Sequence, residues 1–136
     1  MAKITAYAKI KFVEKVLDWC IKHYGKSKYF KTYPILIISY RKTTSYHGEF
    51  NIDEDGFETE IQLIMYINNL HTISQLVQTV IHEYQHYLQH QTWLSRYYDK
   101  THYEDNQYEK KAEKEAKSIY RKCMKQLNLK YTKKRW

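Results

Sequence analysis

The chain has 136 residues, of which 43% are hydrophobic, 28% charged and 16% aromatic, so it can build one domain with one core, residues 1–136, and is too short for two. Three glycines, one proline and the aromatic content exclude collagen-like, low-complexity and disordered classes. No apolar run approaches the roughly 20 residues that a membrane-spanning helix requires. The net charge is +8, unevenly spread. Residues 43–95 hold no Lys or Arg and seven acids, whereas residues 1–42 carry ten bases and two acids and residues 96–136 thirteen bases and six acids. The middle reads as a cation-friendly interior between two basic, solvated flanks; lysine outnumbers arginine there and no nucleic-acid motif accompanies it.

The stretch Met1–Tyr24 has lysines at 3, 9, 11, 15 and 22 and no uninterrupted apolar core before a small-residue cleavage site, so it does not read as a secretory signal. Glu14, Asp18 and the absence of arginine speak against a basic targeting helix. Cys20 and Cys123 lie far apart in no CxxC pattern and read as buried thiols in a reducing compartment. The expected location is cytoplasmic.

In chain order, Ile10, Val13, Leu17, Cys20 and Tyr24 form a 3.6-residue stripe, which predicts an amphipathic helix from about Thr5 to Tyr24 with Gly25 as its stop. After Pro34, the β-branched run Ile35–Tyr40 predicts a buried strand. Residues 44–52 alternate and predict a second strand, in which Gly48 marks a bulge or a place where another backbone approaches. The acidic turn Asp53–Gly56 closes it. A third strand, Glu60–Ile67, ends at Asn68–Asn69. Thr72 and Gln75 have capping-box spacing and open a helix from about Ile73 to Gln91, with Ile73, Val77, Val80, Ile81, Tyr84 and Leu88 on its core face. A loop around Ser95–Asp105 leads to a last helix, about Asn106–Leu127, capped by Asn106, with Ala112, Ala116, Ile119, Cys123 and Leu127 inward and lysines outward. Helix, strands, helix, helix is an α+β order.

The third of these segments contains His82-Glu83-Tyr84-Gln85-His86, an HEXXH pattern. On a helix, i and i+4 lie one above the other, so His82 and His86 can offer two imidazole nitrogens to one metal ion. Glu83 projects about 100° round from His82, within reach of a metal-activated water and outside the ligand shell. The histidine side of the helix lies opposite Val77 and Tyr84 and carries no lysine, which suggests a cleft rather than a solvated face. A hydrolytic zinc site has three protein ligands and an open position. Glu109 is the leading candidate for the third, since it shares a face with Ala112 and Ala116, whose small side chains allow close helix approach. Glu113 one turn on, His102 and His90 are the rivals.

The segments TVIHEYQHYLQ (79–89) and NQYEKKAEKEA (106–116) resemble the gluzincin zinc metallopeptidases in their smallest, SprT-like or minigluzincin form, found in phages and microbes. The resemblance spans roughly residues 35–127 and implies a zincin-like fold: an N-terminal helix, a sheet of three or slightly more strands, an HEXXH active-site helix and a C-terminal ligand helix. It implies zinc (Zn2+) held by His82, His86 and Glu109, with Glu83 as the base in hydrolysis of peptide bonds in a protein or peptide substrate. Gln107 stands where these proteins have proline, and Lys111 where a second acid is usual. SprT-like relatives often use a histidine as third ligand, which keeps His102 in view. The resemblance also implies an oxyanion donor of Tyr or His type, for which Tyr97, Tyr98, Tyr103, Tyr46 and His47 are candidates, and an edge strand near residues 45–51 that pairs with extended substrate. Two other readings stand beside it: a non-catalytic zinc-containing structural or virion-associated protein, and a nucleic-acid-associated protease or binder using the basic flanks. The expected location is the cytoplasm, a host's cytoplasm or a virion if phage-encoded, with no membrane partner; oligomeric state does not follow from the sequence.

Overall fold

Thr5 caps the first helix, α1 (Ala6–Tyr24): its Oγ1 accepts the Ala8 N–H at 3.1 Å. Gly25 ends it at φ 79°, a left-handed conformation open to a residue without Cβ, and donates its N–H to the Ile21 carbonyl. The computed structural model describes residues 4–42, 45–55, 58–89 and 107–129. Of the predicted stripe on α1, Val13, Leu17 and Cys20 are buried and Ile10 and Tyr24 half-buried, and Val16 and Trp19 are buried beside them. Trp19 is held at its polar end as well, with Nε1 donating to Gln126 Oε1 at 2.7 Å.

Three strands follow: β1 (Ile35–Ser39), β2 (Gly48–Asp55) and β3 (Glu58–Tyr66). Their order is β1-β3-β2, with the central β3 parallel to β1 and antiparallel to β2. Both strands of the antiparallel pair differ from the sequence expectation. The acidic segment predicted as a turn continues β2 through Asp55, and β3 starts at Glu58, with Asp53 opposite Glu60. A ladder is made by the backbone, and the Asp53 and Glu60 side chains stay in water, so acidity does not end the pairing. Ile67 passes from the strand into a 3-10 turn, Ile67–Asn69.

Along β3, Ile61, Leu63 and Met65 are nearly fully buried on one face. The opposite face carries Gln62, bonded to Asn51 and Glu60, and Tyr66, whose hydroxyl donates to Glu49 at 2.7 Å. The second helix, α2 (Ile73–Leu88), packs against the sheet, α1 and the third helix, α3 (Gln107–Gln126). It is therefore buried on more than one stripe: Leu76 and Tyr87 join the predicted core residues at 0% exposure, while Leu88 is only half-buried. Each such side chain removed from water contributes about 1.5–3 kcal/mol, so α2 is the element around which the core condenses. It stops at Leu88 with Gln89 as its cap, earlier than the predicted Gln91. Ala112, Ala116, Cys123 and Met124 bury α3; Ile119 and Leu127 are half-buried against the same core.

The described architecture is α+β, three helices and a three-stranded open sheet, with α2 packed on the sheet. No helix of the described residues is long and apolar enough to cross a membrane. Both thiols are buried, as expected, and burial pushes Cys20 well up and Cys123 up to about 12, which keeps them protonated. The predicted loop Ser95–Asp105, the Asn106 cap, His90, His102, Tyr97, Tyr98 and Tyr103 lie outside the described residues.

Candidate metal centre

The cap of α2 sets where its polar side chains point. Thr72 Oγ1 accepts the Gln75 N–H at 3.0 Å, as the spacing predicts. The Gln75 side chain reaches back one residue beyond the cap, its Oε1 accepting the His71 N–H at 2.7 Å. Three turns on, His82 and His86 stand in adjacent turns with ring centroids 5.1 Å apart. They differ in depth: the His82 side chain is 21% exposed, whereas that of His86 is 5% exposed. One ligating atom from each of His82, Glu83 and His86 lies within 4.8 Å of the others, a buried group that could hold a metal ion.

The first turn of α3 brings Glu109 to this group. One of its oxygens is 3.0 Å from His82 Nε2 and the other 2.8 Å from His86 Nε2, so a single carboxylate spans both rings. The close approach depends on Ala112 and Ala116, both buried against α2. Glu113, the rival on the same helix, is exposed and pairs with Lys117 at 2.9 Å. Glu83 stands off the rings, with Oε1 4.0 Å from His82 Nε2, and its Oε2 is buried without a hydrogen-bond partner among the described residues.

Burial pushes the Glu83 carboxyl up from the ordinary carboxylate range, although His82 and His86 pull it down. For His86, burial favours the neutral ring, but the bond to Glu109 and the charges of Glu83 and Glu109 outweigh it, and the net direction is up.

Gln89 is a site residue that the sequence reading missed. Its Oε1 lies 2.8 Å from His86 Nδ1 and accepts that N–H, which fixes the ring with Nε2 toward Glu109. Its Nε2 donates to the Tyr108 carbonyl at 3.0 Å, tying the end of α2 to the residue before Glu109. The signal was its spacing: three positions after His86, Gln89 falls on the same face of the helix as the two histidines.

The group opens on a cleft of about 640 Å³ with α2 as its floor, Glu109 and Glu113 on one wall, and Tyr46, His47 and Gly48 on the other. The expected strand 45–51 thus supplies a wall through its first residues, and β2 is an edge strand. Gly48 marks a close approach, made by a side chain and by the neighbouring backbone: a Cβ there would lie 2.8 Å from Thr79 Cγ2 and 3.2 Å from the Ile64 carbonyl oxygen. The cleft is not free of bases, because Lys110 and Lys117 reach it from α3.

The chain matches no curated protein and no solved structure. Residues 38–127, the span that holds both cleft walls and every described residue of the metal group, match the family described as Protein of unknown function (DUF3920), and the chain belongs to that family.

Proposed function

We propose that the chain is a zinc-dependent hydrolase of peptide bonds, in which His82, His86 and Glu109 would hold the ion and Glu83 is the proton acceptor. The observation that carries this reading is the division between two carboxylates at one imidazole pair. Glu109 touches both rings, while Glu83 stands apart with a buried, unbonded oxygen. Leaving such an oxygen unsatisfied costs about 1–3 kcal/mol, a cost that a purely structural site has no reason to carry. The residues fit zinc: two imidazoles and one carboxylate are the donor set of a catalytic site with one position open. The 2.8 and 3.0 Å separations fall a few tenths of an ångström inside the about 3.3 Å expected between ligands of a tetrahedral ion, a gap that side-chain adjustment can close.

Bound zinc supplies Lewis acidity, polarising the scissile carbonyl and lowering the pKa of a water toward ~7. The side chains do the rest. Glu83 Oε2 takes the water's proton and returns it to the leaving nitrogen, and its burial makes it a stronger base than a carboxylate in water. Gln89 keeps the His86 hydrogen on Nδ1, leaving Nε2 to bind. A cleft beside an edge strand suits an extended protein or peptide segment.

The purified protein should contain close to one zinc per chain by elemental analysis, with sharp losses in His82→Ala and His86→Ala. Glu83→Gln should keep the zinc and lose about 10²–10⁴ in hydrolysis of a denatured protein. Stoichiometric zinc in both histidine variants would sink the site. Full zinc in the wild type without cleavage across a broad peptide library would leave a non-catalytic zinc protein.

A further inference from the structure

The charges of the cleft are unevenly placed. Its floor and the wall of Tyr46, His47 and Gly48 come from residues 43–95, which contain no Lys or Arg, so the lysines that line it, Lys110 and Lys117, both come from α3. On that helix Lys110, Glu113, Lys114 and Lys117 recur at spacings of three and four, which sets them in one stripe beside the buried stripe of Glu109, Ala112 and Ala116. The lysine stripe also lines an adjoining groove of about 480 Å³, which shares Lys110, Glu113 and Lys117 with the cleft and adds Lys114. All three lysines are exposed. Lys117 pairs with Glu113 at 2.9 Å, whereas Lys110 and Lys114 have no ion pair among the described residues. The other acids of the cleft, Glu83 and Glu109, face the imidazole pair. Lys110 and Lys114 are therefore uncompensated positive charge along one wall.

We propose that Lys110 and Lys114 seat acidic side chains of the peptide segment that occupies the cleft, so that the protein selects substrates with Asp or Glu near the cleaved bond. The selection rests on the hydrolase reading; the seat itself does not. Four residues of helix rise about 6 Å, close to the ~6.6 Å between alternate residues of an extended chain, whose side chains share a face. Two acids at alternate positions thus match the two ammonium groups. A nucleic acid would also be drawn by positive charge, but the stripe carries no arginine fork and no aromatic ring on which a base could stack. Glu113 stands within it, where a continuous phosphate backbone would meet it and separate carboxylates can straddle it.

Zinc-loaded Glu83→Gln protein reads binding apart from cleavage. By fluorescence anisotropy at low salt, a peptide with Glu at alternate positions should bind about 3–10-fold more tightly than its Gln counterpart, and the advantage should shrink as salt screens the exposed charges. Adding Lys110→Gln and Lys114→Gln, at exposed positions that leave the core intact, should abolish the advantage. Lys110→Glu with Lys114→Glu should transfer it to a peptide with Lys at the same positions. Cleavage by the wild type should rank the Glu and Gln peptides in the same order by kcat/KM. Equal binding of the two peptides, or an advantage that survives the paired Gln substitutions, overturns the seat. Single-stranded DNA bound more tightly than the acidic peptide at physiological salt overturns it in favour of a nucleic-acid surface. A preference for the Glu peptide in binding, with no hydrolysis of either peptide by the zinc-loaded wild type, supports the seat and overturns the hydrolase reading alone.

Discussion

Glu83 and Glu109 differ in what they touch, and that difference predicts opposite effects on removal. Glu83 is 7% exposed with an unbonded oxygen, and burial raises its pKa. A carboxyl whose folded pKa is raised stabilises the fold fully below its unfolded pKa and loses that contribution as pH rises through the folded value, so at pH 7 the ionised group opposes folding. With zinc removed by a chelator, Glu83→Gln should therefore be more stable than wild type at pH 7 by about 1–2 kcal/mol in denaturant titrations. The advantage should narrow as pH falls toward 5, and a destabilised variant at pH 7 would mean that the carboxylate is bonded. Glu109, by contrast, meets both imidazoles. Chelator competition should show zinc affinity falling about 10–100-fold in Gln89→Ala, which loses only a bond behind the ligand, and further in Glu109→Ala. Glu113→Ala should be near neutral, because its exposed pair with Lys117 is worth about 0.3–0.5 kcal/mol. A larger loss in His102→Ala than in Glu109→Ala would move the third ligand to histidine.

At the scale of elements, the site is a contact between α2 and α3, and its precision depends on how close those helices come. Ala112 is fully buried where they meet, three residues after Glu109. Ala112→Leu adds volume to a filled interface, so it should cost about 1–3 kcal/mol in urea unfolding. It should also weaken zinc binding, since pushing α3 outward withdraws Glu109 from both rings. Unchanged zinc affinity in a folded Ala112→Leu protein would show that the helix spacing does not hold the ligand. On the other side, the contact of Gly48 with Thr79 keeps the first residues of β2 against α2. The width of the cleft is thus set on one wall by alanine and on the other by glycine.

For the whole molecule, the metal group belongs to the folded state alone, because its histidines and Glu109 come from separate helices. A ligand that binds only the native form stabilises it by mass action, about 2.7 kcal/mol at a hundredfold excess over Kd. For a domain of this size that corresponds to a rise in Tm on the order of 10 °C when zinc is added to chelator-treated protein. Thermal unfolding in the two conditions measures it, and an unchanged Tm would exclude His82 and His86 as a high-affinity zinc pair. α1 supplies no residue to the metal group, but it packs on α2 opposite a different set of neighbours and belongs to the same cooperative core.

The sequence alone determined the helices, the pairing of His82 with His86 and the small face of α3, since each is a periodicity of 3.6 residues or a local capping pattern that a window of a few turns contains. It also placed Thr72 at the cap of α2. The tertiary structure decided what depends on residues far apart. Leu76, Tyr87 and Trp19 are buried because α1 and α2 have neighbours on several sides, which one apolar stripe does not encode. The β1-β3-β2 order, the continuation of β2 through an acidic segment and the bond from Gln75 to His47, 28 positions away, are matters of backbone pairing and docking rather than composition. Gln89 shows the boundary between the two: its spacing from His86 was legible, but its role appeared only when the start of α3 arrived beside it, because a hydrogen bond needs both partners in place.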